Sequence, residues 1–354
     1  MINLRPFQKK AIDLLEKNKH VLCLSPTGSG KSLIFERRII TKNYRTLIVS
    51  PLIALARQQQ KDLEKKGIQS VLGCGPEAYS PPQKRNCTPQ AWITNPEKLF
   101  FNNKIKQEVK IWNPHFLVID ECHCLFEWSH FRPGFQKLTE LVEQLNLKES
   151  LWLTATLSSS NQKKLLDQLP KNAVQMGDFQ FPSHISIKIH RCPWGKRFDL
   201  MKSILQKRTG FGIIFTVTRK SAERVTKVLK KEGYSAIYYH AGLSSEERKI
   251  IEKQSLKKEI TILVATSAFG MGMNLTHVTW VCLWHLPLNL ISLAQMIGRA
   301  GRSGKASFAD IFWDNDDFYI HHQMNIEKEE KKSLYSAVIN PSEFSLKVHK
   351  YFNG

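Results

Sequence analysis

The chain has 354 residues, 42% of them hydrophobic, which excludes a small disulfide-stapled module and a disordered tail and makes two packed domains the expectation. Its 52 lysines and arginines against 31 acids leave a formal charge of +21, which points to a polyanion such as DNA, RNA or an acidic membrane surface. The seven cysteines form no C-x-x-C pair, so no zinc site is expected. Their odd number, and a start without targeting character, fit a reducing, cytoplasmic compartment. No apolar run approaches the length of a membrane span.

In chain order, the first apolar run is His20-Val21-Leu22-Cys23-Leu24. Ser25-Pro26-Thr27-Gly28-Ser29-Gly30-Lys31-Ser32 follows, and then a helix-like stretch over 33–38. Strand, glycine-rich turn and helix make the context of a phosphate-binding loop. Gly28 and Gly30 let backbone N–H groups turn around a polyphosphate, Lys31 supplies a point charge, and Ser32 offers a hydroxyl to Mg²⁺. A nucleoside triphosphate is the ligand this loop implies.

Further apolar runs at 46–50, 116–120, 151–153, 211–215 and 260–264 alternate with helix-like segments. Runs of this kind suit parallel strands buried on both faces, so the fold class is α/β. The second of them ends in Asp120-Glu121-Cys122-His123, which brings two acids to the carboxyl end of a strand, where α/β sheets bind ligands. One acid there can hold the Mg²⁺ of a nucleotide and the other can orient or deprotonate a water. Two adjacent acids alone are usually solvated; about ninety residues after a phosphate loop they carry more weight. The next run ends in Thr154-Ala155-Thr156, which says little by itself.

The pattern breaks over 177–197, which puts a domain boundary at residue 182. A second α/β series runs over 183–313, and 314–354 reads as a polar helical tail. Near the end of the second series stands Gln295-Met296-Ile297-Gly298-Arg299-Ala300-Gly301-Arg302. Arginines three apart share one face of a helix or turn, and their planar forks suit phosphoryl oxygens.

The ordered set of motifs resembles superfamily 2 helicases and, within them, the RecQ family, from Leu4 to about Trp313. The resemblance implies two tandem RecA-like domains with parallel sheets, 1–182 and 183–313, with 314–354 as a possible remnant of a zinc subdomain. Leu4-Arg5-Pro6-Phe7-Gln8 is similar to the family's adenine-reading motif, which makes Arg5 and Gln8 base contacts. Gly28 to Ser32 matches motif I and with Thr27 is implied to bind ATP, while Ser50-Pro51-Leu52-Ile53-Ala54-Leu55 matches motif Ia, Asp120 to His123 motif II, and Thr154 to Thr156 motif III. His123, Thr154 and Thr156 then couple the nucleotide to the rest of the protein. Gly212-Ile213-Ile214-Phe215 with Thr218-Arg219 resembles motif IV, and His240-Ala241-Gly242-Leu243 a segment that contacts DNA. Residues 264–274 resemble motif V and 295–302 motif VI.

Trp128-Ser129-His130-Phe131-Arg132-Pro133 resembles the RecQ aromatic-rich loop, which links single-strand binding to ATP hydrolysis. Aromatics beside a cation also suit single strands on physical grounds, although an aromatic pair is more often simply core. By resemblance, Trp128, Phe131, Arg132, Arg219 and His240 contact DNA.

Together these matches imply an ATP-dependent DNA helicase or translocase moving 3′ to 5′, with Mg²⁺ and ATP as cofactors. Lys31, Asp120, Glu121, Gln295, Arg299 and Arg302 are its catalytic set, and Ser32 and Asp120 its metal contacts. Single-stranded and partly duplex DNA and DNA-repair proteins are the implied partners; no membrane is, and the chain is expected to act as a monomer. The runner-up readings are an RNA helicase, a translocase that does not unwind, and an inactive nucleic-acid-binding scaffold. Three departures from the family stand out. The aromatic-rich loop is one residue short, so weaker stimulation by DNA is expected. No aromatic precedes Leu4 to stack on the base. No cysteine follows Cys282, so no intact zinc module is expected, and no match to the family's winged-helix module is expected either.

Overall fold

Short runs of valine, isoleucine and leucine bury both their faces only where helices cover both sides of a sheet. The structure, a computed structural model, describes residues 4–26, 28–75, 88–129, 132–266, 269, 275–324 and 328–354. They fall into two units, Met1–Phe179 and Gln180–Gly354. Each contains one such sheet, with parallel pairing throughout. The fold is α/β, as the apolar runs predict.

The first unit holds β1 (His20–Leu24), β2 (Thr46–Val49), β3 (Ser70–Leu72), β4 (Ala91–Thr94), β5 (Phe116–Ile119), β6 (Glu149–Thr154) and β7 (Val174–Met176). Their order across the sheet is β3-β4-β2-β5-β6-β1-β7. Alternation along each strand divides the apolar residues between two cores. Leu22, Leu47, Leu117 and Trp152 enter one, while Val21, Ile48, Val118 and Leu151 enter the other. Because β5, β6 and β1 are neighbours, the segments that follow them emerge side by side at one edge of the sheet. Gly177, just after β7, has φ +78° and passes so close to Leu24 that a Cβ there would lie 2.0 Å from the Leu24 carbonyl oxygen. A side chain at that position would push the outer strand away from β1.

The second unit holds β8 (Ile185–Arg191), β9 (Phe211–Phe215), β10 (Ala236–Tyr239), β11 (Ile262–Ala265), β12 (Val278–Leu283) and β13 (Ser307–Trp313), in the order β10-β11-β9-β12-β13-β8. Its core packs Ile214, Val225, Leu229, Val264, Trp280 and Phe312 together. Asp310, in the middle of β13, is buried between His190 at 2.9 Å and Arg208 at 2.7 Å. Their hydrogen bonds and charge outweigh the burial that opposes ionisation and hold its pKa below the ordinary value.

Three helices follow β13: Asn315–Gln323, Lys328–Ile339 and Phe344–Asn353. The fully buried Arg197 donates to Asp317 at 2.7 Å and to the carbonyls of Cys192 and Trp284. His321 meets the Tyr335 hydroxyl at 2.8 Å, and Phe344 stacks on Phe181. The polar-looking end of the sequence is thus packed against the second sheet's own unit.

Candidate functional site

The phosphate loop follows β1, as its strand–turn–helix context predicts. Gly28 has φ +78° and Gly30 φ +86°, left-handed conformations that glycine adopts without strain. Ser25 N–H donates to the Thr154 carbonyl, and Ser25 Oγ to Ser29 Oγ at 2.8 Å, which ties the loop to the end of β6. Lys31 Nζ turns back over the loop and donates to the Ser25 and Pro26 carbonyls at 2.8 and 3.2 Å. A phosphate entering the loop competes with those two carbonyls for the same ammonium. Ser32 opens the helix Ser32–Lys42, whose N-terminus favours negative charge. Thr27 lies outside the described residues.

Arg5 and Gln8 stand against this loop. Arg5 Nη1 donates to the Ser29 carbonyl at 3.0 Å, and Gln8 Nε2 to the Gly30 carbonyl at 2.9 Å. Gln8 is 2% exposed, and its Oε1 accepts the Arg5 backbone N–H at 2.8 Å. One end of the Gln8 amide therefore braces the loop, while the other caps the helix Pro6–Asn18 through the Arg5 N–H. A Cβ on Gly30 would come within 2.9 Å of Gln8 Nε2, so glycine also makes room for this brace.

Asp120 and Glu121 leave the end of β5, beside β6 and near β1. Glu121 has φ +49°, an unfavourable conformation for a side chain with a Cβ, and it turns the chain sharply after the strand. Burial, then the neighbouring Glu121 charge, push the Asp120 carboxyl up to about 7, and Lys31 offsets part of that. Gln59, from the helix Ile53–Glu64, donates to Asp120 Oδ2 at 2.6 Å, and the Glu121 N–H donates to Oδ1 at 3.0 Å. The motifs did not point to Gln59, because no local pattern marks it; only the fold brings it to the acid.

These residues fit a divalent cation. A partly buried acid pair within reach of the Lys31 charge, on the same edge of the sheet as a serine hydroxyl at a helix N-terminus, supplies hard oxygen donors. Mg²⁺ completes its shell with phosphate oxygens and water rather than with a protein cage. Among the described residues there is no cluster of three histidines, cysteines or acids able to hold a metal by itself.

His123, the last residue of motif II, is 2% exposed. Its Nδ1 is 3.0 Å from Thr154 Oγ1 and 3.4 Å from Glu121 Oε2, and its Nε2 is 3.6 Å from Glu127 Oε2. Burial opposes a charge on this ring, but Cys124, Glu121 and Glu127 outweigh it and raise the pKa well above the ordinary value. Thr154 Oγ1 in turn donates to the Thr156 carbonyl at 3.1 Å. One polar chain therefore connects Glu121, His123, Thr154 and Thr156.

In the aromatic-rich loop, Trp128 packs partly buried against the core and meets Phe135 edge to face. Arg132 lies over both rings and forms a two-pronged pair with Glu97 at 2.6 and 2.8 Å. That partner, like Gln59, comes from a distant part of the chain and left no signal in the loop itself. His130 and Phe131 lie outside the described residues.

In the second unit, Arg219 is exposed at the start of the helix Arg219–Lys231, capped by Thr218. His240 is 4% exposed, stacked on Tyr238, with Nε2 3.0 Å from Glu223. Gln295 lies in the helix Leu290–Ile297, and Arg299 and Arg302 lie in the turn after it. That turn is fixed at Gly301: its N–H donates to the Val278 carbonyl, and its carbonyl accepts from His184 Nε2 at 2.8 Å. With φ +65°, and His184 and Ser307 each 2.8 Å from a would-be Cβ, the position favours glycine. Most of 267–274 lies outside the described residues.

Residues 5–165 match the DEAD/DEAH box helicase family and 196–304 the helicase conserved C-terminal domain. The chain is 29% identical over 338 residues to the ATP-dependent DNA helicase RecQ of Pasteurella multocida, covering 92% of this chain and 52% of that protein. It is 31% identical over 346 residues to the RecQ of Bacillus subtilis, covering 93% and 58%. The chain thus spans about half the length of the curated relatives it matches. In fold it is similar to Saccharomyces cerevisiae Dbp5 bound to RNA and ADP BeF3, with TM-score 0.71 and 18% identity over 90% of this chain and 86% of that one. With a helicase domain on each parallel sheet and RecQ proteins matched along some nine-tenths of its length, this chain belongs to the superfamily 2 helicases, as a helicase core of RecQ type.

Proposed function

We propose that this ATP-dependent helicase core acts on DNA, coupling ATP hydrolysis to 3′-to-5′ movement along a single strand. The observation that carries the ATP-dependent part is the half-buried Asp120–Glu121 pair, whose Asp120 lies within the electrostatic reach of Lys31 at the edge shared by β1, β5 and β6. Net charge and resemblance to RecQ proteins support the DNA part.

In this reading the loop N–H groups from Gly28 to Ser32, with Lys31, hold the phosphates. Ser32 and Asp120 hold Mg²⁺, which supplies Lewis-acid neutralisation of the phosphate charge. Glu121 accepts the proton of the attacking water. The polar chain through His123 and Thr154 carries a change at Glu121 to the end of β6 and the loop beyond it. Gln295, Arg299 and Arg302 come from the second unit, where the two arginines neutralise charge that develops on the transferring phosphoryl group. ATP then favours the state in which those arginines reach it, and hydrolysis removes that preference. Trp128, Phe131, Arg132, Arg219 and His240 serve the single strand. For Arg132 and His240 this requires exchange of their present partners, Glu97 and Glu223.

Two variants and a substrate panel test this. Lys31→Ala should cut turnover by about a hundredfold or more, since removal of one charge-stabilising donor costs that much in enzymes of this kind. Glu121→Gln should retain nucleotide binding and lose hydrolysis. Ordinary turnover in both variants would reject the site. Displacement of a strand from 3′-tailed DNA, and not from 5′-tailed DNA or a matched RNA duplex, is the outcome expected of the wild type. Preference for RNA would reject the substrate.

A further inference from the structure

The helix Arg219–Lys231 carries Lys220, Arg224, Lys227 and Lys231, all exposed. At 100° per residue these four fall within an arc of about 60°. Ala222, Val225, Thr226 and Leu229 are the helix's buried residues and lie on the opposite side. The cations therefore point directly away from the sheet, in a straight row about 16 Å long.

A merely solvated helix face usually intersperses acids with its lysines, because pairs three or four apart stabilise the helix. The arc itself has none, so its neighbouring cations repel one another. The one acid at such a spacing, Glu223, three after Lys220 and four before Lys227, lies to one side and is turned to His240 at 3.0 Å. Glu232, at the end of the helix, pairs with Lys202 at 2.7 Å. No ion pair involves any of the four cations among the described residues. The next helix, Ser245–Lys257, shows the ordinary mixture, with Glu246, Glu247 and Glu252 among its lysines.

We propose that this row holds the phosphate backbone of a duplex, DNA under the reading above on which the proposal rests, as a contact separate from the single-strand residues. Two features favour a duplex over a single strand. The face offers no aromatic ring, whereas single-strand surfaces stack bases on aromatics. A rigid, straight row also suits a backbone that is already ordered, without the cost of straightening a flexible one. It carries no asparagine or glutamine aimed at base edges, so the contact is independent of sequence.

The test replaces Lys220, Arg224, Lys227 and Lys231 with glutamine together. Affinity is measured against salt for a 3′-tailed duplex and for the tail alone. Each phosphate contact to B-DNA contributes about 0.9 to the slope of log affinity against log salt, so the tailed-duplex slope should fall by about 3 to 4. The slope for the tail alone should stay at the wild-type value. A control removes the same number of charges from the next helix and its end, as Lys249, Lys253, Lys257 and Lys258→Gln, and should leave both slopes unchanged. An unchanged tailed-duplex slope in the first variant, equal losses on both substrates, or an equal loss in the control overturns the proposal. Failure of the functional reading shows up separately, as wild-type ATP turnover that single-stranded DNA does not stimulate.

Discussion

At the scale of single residues, the site depends on side chains whose roles are set by burial. Gln59 gives Asp120 a charge-assisted hydrogen bond from a helix that carries none of the catalytic set, and its own Oε1 is buried without a partner. Removal of such a supporting group typically costs 10–100-fold in metal affinity or activity. Gln59→Leu should therefore raise the Mg²⁺ concentration needed for half-maximal turnover by about tenfold. It should leave metal-free nucleotide binding near the wild-type level, and equal losses with and without Mg²⁺ would assign Gln59 a purely structural role. His285 shows the same dependence on burial, which favours the neutral ring as it favours the neutral Asp120 carboxyl. It lines a cavity of about 100 Å³ with Phe215, Thr216, Met296 and Met324. Burial, then the charges of Arg197 and His321, lower its pKa to about 3. The folded protein thus keeps this ring neutral while the unfolded chain protonates it near the ordinary 6.5. Its stabilising contribution is complete above 6.5 and is lost as pH falls toward the folded value. Between about pH 4 and 6, His285→Gln should flatten the pH dependence of unfolding free energy by about 1.4 kcal/mol per pH unit, one proton's worth. Identical slopes in chemical denaturation would refute the assignment.

At the scale of elements, the helix after the phosphate loop is anchored from behind. Arg38 lies on Ser32–Lys42 and reaches both Glu16 and Glu149 of β6, with the Arg38 and Glu149 side chains 1% and 2% exposed. The pair links the helix that begins at Ser32 to the strand that ends at Thr154, so it sets the distance between two parts of the site. A lone buried charge costs more than the pair contributes. Arg38→Met should thus destabilise the first unit by about 3–5 kcal/mol, and Arg38→Met with Glu149→Leu should recover most of that. A double variant as unstable as the single one would show that packing, not the stranded carboxylate, sets the cost. Strands were legible in the sequence to the extent that they are buried on both faces. The runs 20–24, 116–120 and 211–215 announce β1, β5 and β9 because every residue in those strands is apolar or enclosed. β8 hides: Ile185-Ser186-Ile187-Lys188-Ile189-His190-Arg191 alternates because it is an edge strand with one face partly exposed. It begins just beyond 182, inside the break in pattern that marks the domain boundary. β3 and β7 are three residues each, too short to show any period.

At the scale of the whole molecule, the site motifs were legible for the same reason the strands were. The phosphate loop, the acid pair and Thr154 to Thr156 are short strings at the carboxyl ends of buried strands, which parallel pairing aligns, whereas Gln295 to Arg302 sits on a helix and the turn after it. What the strings could not show is the partner each side chain takes. Arg132 looks like a free cation in the sequence, yet Glu97, 35 residues earlier, holds its fork. Gln8 reads as a base contact in the sequence, which does not show that its Nε2 holds the Gly30 carbonyl and its Oε1 the Arg5 N–H. These contacts arise from packing between distant segments, which spacing along the chain does not encode. The division of the proposed catalytic set between two units has a consequence that can be measured. The phosphate loop, the acids and the braces all belong to Met1–Phe179, which has its own sheet and both of its cores. The three remaining catalytic residues belong to Gln180–Gly354. The polypeptide 1–179 should therefore fold alone, show α/β circular dichroism, and bind a fluorescent ATP analogue through Lys31, with Lys31→Ala abolishing the signal. Its turnover should fall by about a thousandfold or more relative to the full chain, the scale of an arginine's contribution to phosphoryl transfer. Arg299→Ala with Arg302→Ala in the full chain should reproduce that loss while nucleotide binding persists. Undiminished hydrolysis by the isolated unit would mean that the acids and Lys31 suffice, and that the arginine turn fixed by Gly301 serves something other than the γ-phosphate.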